Sequence, residues 1–415
     1  MSGDGGAPGP VDGRRGQGLW SRADAVLPGG NVYFSRSARF GGDGNLPGFI
    51  ERADGCRVTD VDGRTYLDFN CGNGPNLLGY LHPEVEAAAR EQAGRASLAS
   101  FFPPALVELS ERLLAAVPGY DFAVPVKAGS DATALAARIL RAATERPLLL
   151  VFSNAYHGLS PEFIARPGQG WDTSNLVRVP WNDAEAVHDV VRRSAERLAG
   201  VLLNPLDQNP RRPTREPSSE FLAAVETVRS VAGGFIAFDD VRHGFRLHPQ
   251  GSHRNLGMDP DLTCLGKALG NGHSVAALLG VEALREPCSR LMLTSTYIFD
   301  PVAFRAAVTT LDVYQRDDVF TKISAAGERL RKGLLHAAEE TGHRVDVSGP
   351  VTMPTLLFAD DEGADRSQRF AREAAHLGAI FHPSLNWFLC LAHDEAVVDE
   401  AIEIARSAFE RTPVG

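Results

Sequence analysis

The chain has 415 residues, of which 44% are hydrophobic, 23% charged and 8% aromatic, and its formal net charge is −10. That is enough chain for two or three domains around a large buried core, and the negative balance argues against nucleic acid or an anionic membrane surface as partner. No stretch approaches the roughly 20 apolar residues of a membrane span, and with no apolar signal core at the N-terminus the expected location is the cytoplasm.

Residues 1–20 open on a Gly-, Pro- and Arg-rich stretch and are expected to be disordered. From Gly55 to Phe69 two alternating runs joined by Asp62-Gly63 read as a β-hairpin. From about residue 105 helices alternate with short apolar strands. Leu106–Val117, Ala132–Thr144 and Glu220–Val231 read as helices; Pro147–Phe152, Leu198–Leu203 and Gly234–Phe238 read as buried strands. Such alternation predicts a mostly parallel sheet covered by helices on both faces. Asn209–Pro217 is a surface loop by composition. Asp317–Thr341 gives a long amphipathic helix, followed by strand-like pieces at Val345–Val347 and Thr352–Phe358 and a last helix at Ala396–Arg411. The predicted fold class is α/β, with a large central domain over residues 71–314. A small α+β domain is built from both chain ends, residues 21–70 and 315–415. The five cysteines (Cys56, Cys71, Cys264, Cys288, Cys390) are scattered and show no CxxC spacing, so neither a disulfide framework nor a metal site is expected.

Three segments fall where open α/β sheets place ligands, at the carboxyl ends of strands. Lys127-Ala-Gly-Ser-Asp-Ala-Thr133 is a small-residue turn opening a helix, which can bind an anion through its free N–H groups and the helix dipole; a plain Ser or Asp N-cap is the alternative. Asn154-Ala-Tyr-His-Gly158 could offer an aromatic face to a planar ligand or be a simple turn. Phe238-Asp239-Asp240 places carboxylates at a strand end, where one could keep a pyridine nitrogen protonated. His243 could serve as a general base, although a hydrogen-bonded turn histidine is the commoner case. Lys267, in an apolar stretch downstream, is the kind of lysine that is paired, neutralised or covalently used.

Taken together, these segments resemble the class III, fold type I pyridoxal-phosphate aminotransferases, and within them the glutamate-1-semialdehyde aminomutase branch. The resemblance runs through Leu27-Pro-Gly-Gly30, Phe49–Gly55, Thr59–Gly63, Gly79–Pro83, Gly129-Ser-Asp-Ala132 and Tyr156-His-Gly158. It continues through Asp239-Asp-Val241, Gly244-Phe-Arg246, Pro260–Lys267 and His393-Asp-Glu395, and so spans roughly residues 25–410.

The resemblance implies pyridoxal phosphate as cofactor and a role for each matching residue. Lys267 would hold the cofactor as a Schiff base and then move a proton between substrate carbon and cofactor. Asp239 would pair with the pyridine nitrogen, Tyr156 would stack on the ring, and Gly129 and Ser130 would bind the phosphate, with His157 also at the cofactor. Thr296 falls where the family completes the phosphate site from a partner subunit, which implies an obligate homodimer. Arg36 aligns with the aminomutase arginine that binds the substrate carboxylate.

The departures concern the substrate. Asn73 replaces a tryptophan of the aminomutases, Asn386 replaces their gating glutamate, Asn204 stands for the usual glutamate before proline, and His243 replaces a common threonine. Asp300 replaces an asparagine. Asn73, Asp300 and Asn386 would make a polar pocket, and the chain is similar to enzymes that aminate the oxidised 6′ carbon of aminoglycosides. The expected activity is transamination of a small polar substrate, an amino sugar or polycationic aminoglycoside of specialised, antibiotic-type biosynthesis. Epimerisation or isomerisation of the same kind of substrate, and glutamate-1-semialdehyde 2,1-aminomutase activity, are the alternatives.

Overall fold

The computed structural model describes residues 14–28, 48–98, 100–164, 173–207, 209, 212–361 and 363–414. Its first sheet begins with β1 (Ile50–Asp54), β2 (Arg57–Asp60) and β3 (Thr65–Asp68), paired antiparallel in that order. The β2–β3 turn forms where alternation predicted it. Asp60 Oδ1 accepts the N–H groups of Asp62 and Arg64 at 3.0 and 2.9 Å, and Gly63 takes φ +89°, which glycine adopts without a Cβ penalty.

Structure starts earlier than the sequence suggested. A helix covers Arg14–Val26 and so enters the segment 1–20 that was expected to be disordered. Its first amides find an acceptor in the Asp62 carboxylate, 3.1 Å from Arg15 N and 3.2 Å from Gly16 N. This cap satisfies N–H groups that a helix start leaves open. It comes from a distant hairpin tip, which local composition does not reveal.

The large sheet contains β4 (Phe122–Val126), β5 (Leu148–Phe152), β6 (Leu176–Val179), β7 (Leu198–Leu203), β8 (Phe235–Asp239), β9 (Leu262–Leu265) and β10 (Ala276–Gly280). Their spatial order is β4-β10-β9-β8-β7-β5-β6, and β10 runs antiparallel to both of its neighbours while the other pairs are parallel. Side chains of β5 alternate between two core layers. Leu149 and Val151 pack with Leu135 and Ile139 of the helix Gly129–Thr144. Leu150 and Phe152 pack with Phe221 and Val225 of the helix Ser219–Ser230. Burial on both faces explains why β5 and β7 are continuous apolar runs.

The later chain supplies β11 (Val345–Ser348) and β12 (Thr355–Phe358), an antiparallel pair, and β13 (Ala379–Ile380), which joins β3 in parallel. β12 starts later than predicted. Thr352 donates its hydroxyl to Arg246 O at 2.7 Å and accepts Leu389 N–H at 3.0 Å, and Pro354 has no N–H for a ladder. Among the described residues no helix is long and apolar enough to cross a membrane. Because β4, β5, β8 and β9 point the same way, their carboxyl ends open onto one edge of the sheet, where the site lies.

Candidate active site

Asp239 is the last residue of β8 and is only 6% exposed. Its Oδ2 lies 2.7 Å from His157 Nδ1, and its Oδ1 accepts Val241 N–H at 3.2 Å. Burial alone would raise the carboxyl pKa. The hydrogen bond and charge of His157, the charge of Lys267 and the Val241 amide outweigh it and hold Asp239 below its ordinary value. A buried carboxylate kept ionised is suited to a cationic ring nitrogen.

Lys267 follows β9 and starts a short 3₁₀ turn, Lys267–Gly270, with φ +41°. The left-handed region costs a non-glycine residue about 1–2 kcal/mol, so the surrounding packing imposes this pose. Burial, and then the nearby Arg242 charge, push the amine down to about 8, against the pull of Asp239. Among the described residues no side chain hydrogen-bonds the amine. A partly neutral, unengaged amine is a nucleophile for a carbonyl.

The helix Gly129–Thr144 begins just past β4 and points its first-turn N–H groups toward this edge. Ala128 N–H is taken by Asp131 Oδ2 at 2.8 Å, which closes the cap and leaves the following turn for an anion. Ser130 Oγ accepts Leu159 N–H at 3.0 Å, and Thr133 Oγ1 donates to His157 O at 2.7 Å. The approach is tight: a Cβ on Gly158 (φ +93°) would stand 2.5 Å from Ser130 Oγ, and one on Gly129 would stand 2.5 Å from Val241 Cγ1. Tyr156, in the same loop, is 55% exposed, and its hydroxyl pKa is raised by burial and by Asp239. Amine, carboxylate, helix start and open aromatic ring thus fit the carbonyl, ring nitrogen, phosphate and ring face of pyridoxal phosphate. His157 touches Asp239 rather than open space, so it orients the carboxylate.

Next to Arg242 and His243 lies a cavity whose wall also includes Asp207, Thr214, Ser384 and Asn386. His243 is buried, its Nδ1 has no partner among the described residues, and burial followed by the Arg242 charge pushes it down to about 3. Its backbone makes the expected turn, accepting Arg246 N–H at 2.9 Å, but the ring is neutral and is no strong base. Asn386 lines the cavity, with Nδ2 donating to Trp387 O at 2.9 Å. Asn73 occupies a tight turn at φ +73° and is not among the described residues lining this cavity.

Asp300 departs from expectation. Its Oδ2 pairs with Lys127 Nζ at 2.6 Å, and its Oδ1 caps the helix Pro301–Arg316 through Val302 N and Ala303 N at 3.0 and 3.2 Å. Both oxygens are engaged, so Asp300 acts as a cap and ion-pair partner rather than a substrate ligand. Thr296 is exposed. Arg36 lies outside the described residues.

Arg242 and Asp207 carry the cavity's charges, and neither was singled out from sequence. The available signal was a charged residue three or four places beyond a buried strand end. Arg246, buried, donates to Leu389 O at 2.5 Å and Gly74 O at 3.0 Å, and lies 5.1 Å from the Phe388 ring centroid. It ties together the two segments that carry Asn73 and Asn386.

The geometry agrees with three comparisons. The chain is 33% identical to the aminopentol aminotransferase of Sphingopyxis macrogoltabida, over 96% of this chain and 94% of the relative. It is 32% identical to the glutamate-1-semialdehyde 2,1-aminomutase of Thermomicrobium roseum, over 96% and 98%. Among solved structures, the pyridoxal-phosphate internal aldimine form of the FumI protein of Sphingopyxis sp. MTA144 superposes with a TM-score of 0.91 at 32% identity, covering 95% of this chain and 96% of that one. The family model described as aminotransferase class-III matches residues 41–412, and the chain belongs to this family of pyridoxal-phosphate enzymes with the fold type I architecture.

Proposed function

We propose that this aminotransferase exchanges an amino group with a carbonyl carbon of a polyhydroxylated amine, of the amino-sugar or aminoglycoside class. The observation that carries this reading is the mostly polar cavity beside Arg242 and His243, just past the strand end that carries Asp239, where Asp207, Thr214, Ser384 and Asn386 line the open space. Hydroxyls can be met by the threonine, serine and asparagine, and an ammonium group by Asp207. A relative named for an aminopentol supports a hydroxyl-rich amine.

Bound pyridoxal phosphate supplies an electron sink for negative charge that develops on the substrate carbon. The chain's own residues do the rest. The Lys267 amine anchors the cofactor, and once released it takes the proton from the substrate carbon and returns it one atom away. Asp239, kept ionised by His157, holds the proton on the ring nitrogen. Tyr156 covers a ring face, and Gly129 and Ser130 hold the phosphate at the helix start. Thr296 completes that phosphate site in a partner subunit. A homodimer is supported by an exposed apolar surface, in which Phe101 is 85%, Phe102 72%, Met292 80% and Tyr297 64% exposed. The Phe102 and Phe299 rings meet at 4.9 Å, so these two segments form one patch next to Thr296.

The test is a single-turnover reaction of the holoenzyme with amino sugars and amino polyols in heavy water. Conversion of the cofactor to pyridoxamine phosphate with one equivalent of carbonyl product is expected. Deuterium uptake with the cofactor unchanged would replace transamination by epimerisation or isomerisation. Turnover of glutamate-1-semialdehyde to 5-aminolevulinate would instead favour the aminomutase reading.

A further inference from the structure

Two cysteines far apart in the chain meet in the folded protein beside a histidine that amino-group exchange leaves without a task. Cys71 Sγ, Cys390 Sγ and a ring nitrogen of His393 all lie within 4.8 Å of one another. Each of the three residues is only 1–2% exposed, and both cysteines are free thiols. His393 Nδ1 accepts Cys390 N–H at 3.0 Å and therefore carries a lone pair, and it stands 3.3 Å from Cys390 Sγ. Stacking on Phe69 fixes the ring, with 4.4 Å between centroids and 10° between planes. Cys71 takes φ +47°, a pose that a non-glycine residue keeps only where its neighbours impose it, and its thiol donates to Phe388 O at 3.3 Å.

Phe388 N–H to Phe69 O at 2.7 Å and Leu391 N–H to Leu77 O at 2.9 Å lay the two segments side by side and bracket the cysteine pair. Backbones paired in this way stand about 4.5–5.5 Å apart, inside the roughly 4.4–6.8 Å between Cα atoms that a disulfide spans. Burial raises the Cys390 thiol, but the Cys71 hydrogen bond and His393 outweigh it and hold Cys390 below its ordinary value. The hydrogen bond to Cys390, and then burial, raise Cys71 instead. A base-assisted thiol next to one that keeps its proton is the arrangement of an attacking and a resolving cysteine.

We propose that Cys71 and Cys390 form a peroxide-sensitive disulfide site, with His393 as the base that activates Cys390. The Cys390 sulfur passes its proton to His393 Nδ1 and attacks one oxygen of hydrogen peroxide. The O–O bond breaks, and the departing hydroxide takes the proton from His393 to leave as water. The Cys71 sulfur then attacks the sulfenic sulfur of Cys390, the S–O bond breaks, and the leaving hydroxide takes the Cys71 proton as a second water. Two thiols are oxidised to one disulfide while the peroxide is reduced to two waters. The bond fastens the turn that carries Asn73 to the segment that carries Asn386, and so holds one wall of the cavity. Burial restricts the reaction to a small, uncharged oxidant.

The experiment treats reduced holoenzyme with hydrogen peroxide, denatures it, alkylates the remaining thiols with iodoacetamide, and reads intact mass and a peptide map. Two of the five cysteines are expected to escape alkylation, in one peptide pair joined through Cys71 and Cys390, and dithiothreitol restores all five. Cys71→Ser is expected to stop at a Cys390 sulfenic acid that dimedone traps, whereas Cys390→Ser leaves Cys71 unmodified. His393→Gln is expected to slow the cross-link at least about tenfold while joining the same peptides. The oxidised holoenzyme is expected to unfold at a higher urea concentration than the reduced one, a difference that dithiothreitol abolishes. Five alkylated cysteines after peroxide, or a disulfide through Cys56, Cys264 or Cys288, would overturn the site. Cross-linking by oxidised glutathione as fast as by peroxide would place the reaction in an opened chain and overturn it too, as would a lower urea midpoint after oxidation. One equivalent of zinc bound by wild type and lost in Cys71→Ser, with no disulfide formed, would make the cluster a metal site instead. None of these readouts depends on which substrate the enzyme takes.

Discussion

His157 Nδ1 and Asp239 Oδ2 are 2.7 Å apart, with both side chains almost fully buried. The pair fixes a negative charge where burial alone would tend to protonate it. Asp239 has a depressed pKa in the folded protein, so its contribution to stability is present above the unfolded value and is lost as pH falls through the folded one. His157→Phe removes the hydrogen bond and leaves the desolvation. Asp239 then takes up its proton at a higher pH, so the acid limb of the kcat profile moves upward and the apoprotein loses about 1.5–3 kcal/mol near neutral pH. Rescue of the profile by His157→Gln, which keeps a donor, separates this role from simple packing. An unmoved acid limb in His157→Phe would remove His157 from the account.

Gly158→Ala tests the phosphate cradle. The added Cβ meets Ser130 Oγ at 2.5 Å, and the backbone stands at φ +93°. Left-handed strain of about 1–2 kcal/mol, with displacement of Ser130 in addition, is expected to weaken cofactor binding by at least about 5- to 30-fold. Equilibrium dialysis against pyridoxal phosphate measures it, and an unchanged dissociation constant would place the phosphate elsewhere.

Arg246→Met leaves the buried carbonyls of Gly74 and Leu389 without their donors. Each unsatisfied group costs about 1–3 kcal/mol, so denaturant unfolding is expected to show a loss of about 2–6 kcal/mol. Because the freed segments carry Asn73 and Asn386, KM for the hydroxyl-rich substrate should rise more than kcat falls. A loss of stability with unchanged KM would confine Arg246 to a structural role.

The Lys267 amine titrates at about 8 rather than at its ordinary 10.5. Only the neutral amine attacks a carbonyl, so loading of the apoprotein with cofactor is expected to speed up about tenfold per pH unit below that value and to level off above it. Arg242 helps to depress this pKa. Arg242→Gln should therefore move the plateau to higher pH, which stopped-flow absorbance between pH 6 and 10 can measure. A loading rate flat across that range would contradict a depressed lysine.

Much of this arrangement is legible in the sequence because it rests on local chemistry. The Asp62-Gly63 hairpin, the apolar runs of β5, β7 and β8 and the small-residue helix start at Gly129 each announce themselves within a few residues. What stays hidden depends on partners far along the chain. Asp300 looked like a substrate ligand until Lys127, 173 residues earlier, supplied its counter-ion. The helix Arg14–Val26 owes its start to Asp62. Arg242 lies between two recognised residues, Asp239 and His243, and only the folded structure shows that it lines the cavity.

The central claim is that Lys267 and Asp239 serve amino-group exchange on a hydroxyl-rich amine. The most direct measurement mixes holoenzyme with amino sugars in a single turnover and follows cofactor absorbance and carbonyl product together. The account expects one equivalent of carbonyl per site, with the cofactor left as pyridoxamine phosphate, and neither change in Lys267→Ala. An unchanged cofactor and no carbonyl product with every amino sugar and amino polyol, from an enzyme that does react with simple amines, would contradict it.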